Sequence, residues 1–221
     1  ARVPHLSIPV VQERPAKVPL SFSQERLWFI DRLQGSTNYH ISGVLSLRGP
    51  LDISFLERSL GNIVDRHEVL RTVVFEDDGI GYQQVLPGGK WSLGYSSSPE
   101  FSGKAYLEEH IGLLIGRPFD LSRDSMLRVD LLEIGPEDYV LVFVMHHIAS
   151  DGWSMNVLIR EFVSLYQGYL SGKETVLPVL PMQYADYSLW QRGQFSGPEM
   201  DIHLDYWKNH LKGVVPLDLP T

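Results

Sequence analysis

Apolar positions first recur at helical spacing in Leu27, Trp28, Ile30 and Leu33, behind Ser21 and Ser23, either of which can cap a helix N-terminus. Gly35-Ser36 ends that helix. Residues 41–48 alternate around Val44 and Leu47 and predict a strand, broken by Gly49-Pro50. Phe55, Leu56, Leu60, Ile63 and Val64 mark the buried stripe of a second helix, with Asp52 or Ser54 as its cap. Val73-Val74-Phe75 and residues 82–86 flank Asp77-Asp78-Gly79, a hairpin signal. Residues 87–103, rich in Gly, Ser and Pro, read as a surface loop, and 105–115 as a helix. Residues 126–134 and 139–145 predict two strands joined across Gly135-Pro136-Glu137-Asp138. The second runs Val140-Leu141-Val142-Phe143-Val144-Met145 without a polar break, as strands buried on both faces do. A long amphipathic helix follows, with Met155, Leu158, Phe162, Leu165 and Tyr169 on one side. Strands and helices mix without strict β–α alternation, which predicts an α/β (α+β) fold with helices packed on a mixed sheet. Residues 1–19 carry Pro4, Pro9, Pro15 and Pro19 and no periodicity, and read as an extended linker ahead of a domain at 20–221.

Charge narrows the partners. Asp and Glu total 27 against 19 Lys and Arg, for a net charge of −8. That balance disfavours nucleic acid and anionic membrane surfaces, both of which attract clustered cations. Cysteine is absent, which removes disulfides, thiolate metal sites and a Cys nucleophile. No apolar run is long enough to span a bilayer and the N-terminus has no signal-peptide core, so a cytoplasmic location is expected.

The segment richest in chemistry is Met145-His146-His147-Ile148-Ala149-Ser150-Asp151-Gly152-Trp153-Ser154. It joins a buried strand to a helix, a junction that holds side chains rigidly beside a cleft. Neighbouring residues leaving a strand point to opposite sides, so His146 is expected to be structural and His147 exposed. His147 can serve as a general base. Asp151 can orient an imidazole or anchor the loop. The Gly152 N–H, near a helix start, can stabilise a developing oxyanion. His147 and Asp151 are only two local ligands where zinc takes three or four, so no metal is expected.

Four segments together resemble a known family. Ser21-Phe22-Ser23-Gln24-Glu25-Arg26-Leu27-Trp28-Phe29 and Arg66-His67-Glu68-Val69-Leu70-Arg71-Thr72-Val73-Val74-Phe75 resemble the first two core motifs of nonribosomal peptide synthetase condensation domains. Residues 145–154 resemble the third, the HHxxxDG signature, and Tyr184-Ala185-Asp186-Tyr187-Ser188-Leu189-Trp190 the fourth. The His146 to Asp151 spacing alone also occurs in glycerolipid acyltransferases. The resemblance implies the N-terminal lobe of a V-shaped, chloramphenicol acetyltransferase-like fold, with the C-terminal lobe missing. It implies amide formation between a donor thioester and an acceptor amine. Both would be carried on phosphopantetheine arms, with no cofactor bound by the domain itself.

By the same resemblance, His147, Asp151, Gly152 and His146 form the catalytic signature, and Trp153 and Ser154 lie at the substrate. Arg66 and Arg71 support the site, one of them pairing with Asp151. Expected partners are upstream and downstream peptidyl carrier domains, an adjacent adenylation domain and the second lobe. Residues 1–19 would follow a carrier. A cyclising relative would have Asp in place of His146, and the form of residues 66–72 resembles the type that takes an L-configured donor. The alternatives are a non-catalytic recruitment domain of the same fold and a stand-alone acyltransferase.

Overall fold

The computed structural model describes residues 8–11, 13–173 and 175–215. In chain order its elements are strand β1 (Val18–Pro19), helix α1 (Phe22–Gln34), β2 (His40–Arg48), α2 (Ile53–Arg66), β3 (Thr72–Asp77) and β4 (Ile80–Val85). Then come β5 (Gly94–Ser97), α3 (Lys104–Gly116), β6 (Leu127–Gly135), β7 (Asp138–His146), α4 (Gly152–Leu170), α5 (Tyr184–Gln194) and α6 (Pro198–His210).

The strands form two sheets, a small antiparallel one ordered β1-β4-β3 and a larger one ordered β2-β7-β6-β5. In the larger sheet β5 runs parallel to β6 and the other pairs are antiparallel, so the sheet is mixed. β7 lies inside it and alternates between two cores. Val140, Val142 and Val144 join Phe101, Phe119 and Leu27 on one side. Tyr139, Leu141 and Met145 join Leu56, Ile63 and Leu165, from α2 and α4, on the other. Both faces of β7 are therefore covered by apolar side chains, which is why its run is unbroken. Gly43 on β2 sits opposite Phe143, and a Cβ there would collide with the phenyl ring. The glycine lets that ring lie across the neighbouring strand.

Local signals set the element ends. Ser21 caps α1 and Gln24 returns a bond to the Ser21 N–H, a reciprocal capping box. Asp52 caps α2, while the Ser54 hydroxyl donates to Asp52. Asp78 and Gly79 both take positive φ, as the two-residue loop of the β3–β4 hairpin requires.

Two expectations are corrected. Residues 87–103 are not all surface loop: 94–97 form β5, and Phe101 is buried in the turn that follows. A short polar edge strand gains its place from ladder bonds to β6 and needs no alternating pattern. The ordered lobe also starts before residue 20. Val18 is buried and pairs with Gln83. The Arg14 guanidinium reaches Asp186 at 2.9 Å and Glu68 at 2.5 Å. The Asp186 side chain is only 1% exposed. Burial alone would raise its pKa, but Arg14 and the Gln183 N–H hold the carboxyl below its usual range. Arg14→Ala would strand that carboxylate, and a loss of about 2 kcal/mol is expected. The urea midpoint reads it, and an unchanged midpoint would show that this contact does not stabilise the lobe.

Candidate active site

β7 ends at His146, a tight turn covers 147–150, and α4 begins at Gly152. The two adjacent histidines part company here. His146 is 0% exposed. Its Nδ1 lies 3.1 Å from the Ile148 N–H and its Nε2 lies 2.7 Å from Ser36 Oγ. An N–H can only donate, so Nδ1 is the acceptor and the ring proton sits on Nε2, donating to Ser36. Burial, followed by the nearby His40, pushes the His146 pKa from 6.5 down to about 4. The ring is neutral at ordinary pH. His40, which makes an edge contact with it, is likewise shifted down, chiefly by burial.

His147 is exposed, with its backbone N–H donating to Tyr39 O at 2.9 Å. Its side chain opens into a cleft of about 380 Å³ lined also by Arg26, Leu27, Asp151, Ser154 and Tyr184. The Tyr184 hydroxyl lies 2.9 Å from Ser21 Oγ, which ties the fourth motif to the first. Arg26 of the first motif and Tyr184 of the fourth line the same cleft as His147. Both motifs carry several polar residues, and nothing local in the sequence singles out Arg26 or Tyr184 from the others.

Asp151 does not pair with Arg66 or Arg71. It is exposed and is the N-cap of α4, accepting from the Ser154 N–H at 2.8 Å and the Ser154 hydroxyl at 2.6 Å. Those bonds, the hydroxyl first, hold its carboxyl below the usual range. The arginines are engaged elsewhere. Arg66 pairs with Glu161 of α4 at 3.1 Å and donates to Pro178 O. Arg71 donates to the backbone oxygens of Asp65 and Leu86. A helix start supplies its own donors to a carboxylate, so Asp151 needs no guanidinium. Asp151→Asn keeps an acceptor at the cap and should change the urea midpoint little. Asp151→Ala should cost about 1 kcal/mol. Equal losses for the two variants would mean that the charge, not the cap, is what matters.

Ser154 is thus engaged in the cap as well as lining the cleft. Trp153 is 81% exposed and faces a neighbouring hollow with His67 and Val69. Gly152 opens α4, and a Cβ there would meet nothing within 4 Å. The packing of this lobe does not demand glycine at that position. Among the described residues, no group of three or more His, Asp or Glu is placed to hold a metal ion, and no helix is long and apolar enough to cross a membrane.

Comparison with known proteins places this geometry. The family described as "Condensation domain" matches residues 15–221. A linear gramicidin synthase polypeptide of Brevibacillus parabrevis is 42% identical over 213 residues, covering 94% of this chain and 3% of that protein. The dimodular nonribosomal peptide synthase of Bacillus subtilis is 37% identical over 221 residues, covering 95% of this chain and 9% of that protein. The structure of the X-domain with OxyB from teicoplanin biosynthesis matches with a TM-score of 0.80 and 30% identity, covering 96% of this chain and 47% of that one. This chain therefore spans a few per cent of those synthetases and about half of that solved chain. The fold is one lobe of the chloramphenicol acetyltransferase-like architecture. Four motifs in order, the turn that separates His146 from His147, and the family match over residues 15–221 agree: the chain belongs to the condensation-domain family of nonribosomal peptide synthetases.

Proposed function

We propose that this lobe serves peptide-bond formation between two carrier-tethered substrates, with His147 as the residue that meets the acceptor amine. The amine nitrogen attacks the donor thioester carbonyl. A C–N bond forms, the C–S bond breaks, and the donor pantetheine sulfur leaves as a thiol. The amine proton passes to the His147 imidazole or to the departing sulfur. The thioester is already activated, so alignment of the two arms supplies much of the rate. The Gly152 N–H, among the first-turn amides without an intrahelical acceptor, would assist the carbonyl oxygen. The open space at its α-carbon leaves room for that approach.

The observation that carries this reading is the exposed His147 in a cleft, beside a neutral partner whose ring is already fully engaged. Carrier domains upstream and downstream, an adenylation neighbour and a second lobe closing the cleft are its partners. The form of residues 66–72 supports an L-configured donor, and residues 1–13 would lead from a preceding carrier.

One observation favours a second reading. The X-domain just compared is 30% identical to this chain and was solved in complex with OxyB. A condensation-like lobe that recruits an enzyme without catalysis is therefore the alternative, and the complete HHxxxDG signature weighs against it. Reconstitution decides between them. Two loaded carriers mixed with the complete domain should yield the extended chain on the acceptor arm. Absence of that product across donor stereoisomers would overturn the catalytic reading.

A further inference from the structure

Every polar atom of His146 is bonded, and most of those bonds end on the turn that carries His147 or on one short segment before β2. The His146 N–H donates to Met126 O at 3.2 Å. Its carbonyl accepts from the Ala149 N–H at 3.0 Å and the Ser150 hydroxyl at 3.2 Å. Nδ1 accepts from Ile148 N–H, inside the turn. Nε2–H donates to Ser36, whose hydroxyl in turn donates to the Asp31 carboxylate. The directions are forced from end to end. A carboxylate only accepts, so the Ser36 proton points to Asp31 and the Ser36 lone pair is left for the imidazole.

The same segment also grips His147. Ser36 accepts the Tyr39 N–H at 2.8 Å through its carbonyl, and Tyr39 O receives the His147 N–H at 2.9 Å. Residues 36–39 thus hold His146 by its side chain and His147 by its backbone. Ser36 is buried, and the His146 ring is packed edge-on against Phe119, so neither has water as a substitute partner.

We propose that Ser36 and Asp31 are positioning residues for the condensation reaction, acting through the His146 ring to fix the turn that presents His147. The chain Asp31–Ser36–His146 selects one tautomer, that tautomer selects the acceptor for Ile148 N–H, and that bond sets the path of residues 147–150. None of the three touches a substrate. This rests on the reading of His147 given above, and the test separates the two.

The complete synthetase is assayed with loaded carriers as Ser36→Ala, Ser36→Thr, Asp31→Asn, Asp31→Ala and, as reference, His147→Ala. A displaced catalytic group costs rate rather than binding, so Ser36→Ala should lower kcat by about tenfold or more with KM for both carriers little changed. Ser36→Thr keeps a hydroxyl and should recover most of the rate. Asp31→Asn keeps an oxygen acceptor and should be milder than Asp31→Ala. Amide exchange at Ile148 should quicken in Ser36→Ala while exchange in the β7 interior stays slow. Wild-type kcat in Ser36→Ala beside an inactive His147→Ala would overturn the positioning role alone. Full activity in His147→Ala would overturn the functional reading beneath it. Loss in Ser36→Ala that Thr does not recover, with β7 exchange quickened too, would make Ser36 a residue of general stability and also overturn the proposal.

Discussion

His147→Ala in the complete domain is expected to lower amide formation between two loaded carriers by about a hundredfold or more, with the urea midpoint unchanged. The two halves of that result have separate grounds. The imidazole is exposed and packs against nothing that the fold needs, and the His147 N–H to Tyr39 O bond is a backbone bond that alanine retains. On the proposed role the rate falls because the cleft loses the group that meets the acceptor amine, and Asp151 cannot replace it, its carboxylate being spent on the cap of α4. Single-turnover transfer from a radiolabelled donor arm measures it. Retention of near-wild-type turnover would remove His147 from the mechanism.

The second large effect is on stability, and it depends on pH. The unfolded chain protonates an ordinary imidazole below about 6.5, whereas folded His146 resists protonation down to about 4. A folded state that binds fewer protons is penalised by acid. The contribution of His146 is complete above pH 6.5, shrinks as the pH falls through that window, and is gone near 4. The gap corresponds to about 3 kcal/mol. His40, shifted the same way, adds to the trend. His146→Ala should flatten this dependence. At neutral pH the same variant should cost about 3 kcal/mol, because it leaves a cavity beside Phe119 and strands the Ile148 N–H. Urea midpoints at pH 7 and pH 4.5 for both proteins give the comparison. A parallel fall in the two would locate the acid sensitivity elsewhere.

Much of this was readable from the chain before the structure. The unbroken run of β7 announced a doubly covered strand, and the pair His146-His147 leaving it announced one inward and one outward ring. The caps were legible to within two candidates each, Ser21 or Ser23 and Asp52 or Ser54, and the hairpin turn to within Asp77-Asp78-Gly79, because local bonds alone determine them. What escaped the sequence was tertiary. β5 is held by its ladder to β6 and the Tyr95 hydroxyl bond to Glu133, and a run of Gly, Tyr and Ser carries no pattern that says so. Arg66 and Arg71 were expected at Asp151 because a buried guanidinium wants a carboxylate, but Glu161 and backbone oxygens satisfied them first. The Asp31–Ser36–His146 chain joins residues 110 positions apart, a distance at which no spacing rule operates. Arg26 and Tyr184 come together in one cleft only through the packing of α1 on α5, which no local pattern announces.

The contact of Arg14 with Asp186 and Glu68 has a mechanical consequence. The polypeptide is tied to the lobe at least as far back as Arg14, so a domain attached ahead of this chain would pivot no later than that residue, well before the first helix. The stretch from Arg14 to Pro19 is subtracted from the leash, about 20 Å of reach at full extension. A pull on the leading end is borne by an ion pair on α5 and by β1 before it can be felt at α1, and because Tyr184 of α5 lines the cleft with His147, that load is taken up at the wall of the cleft itself.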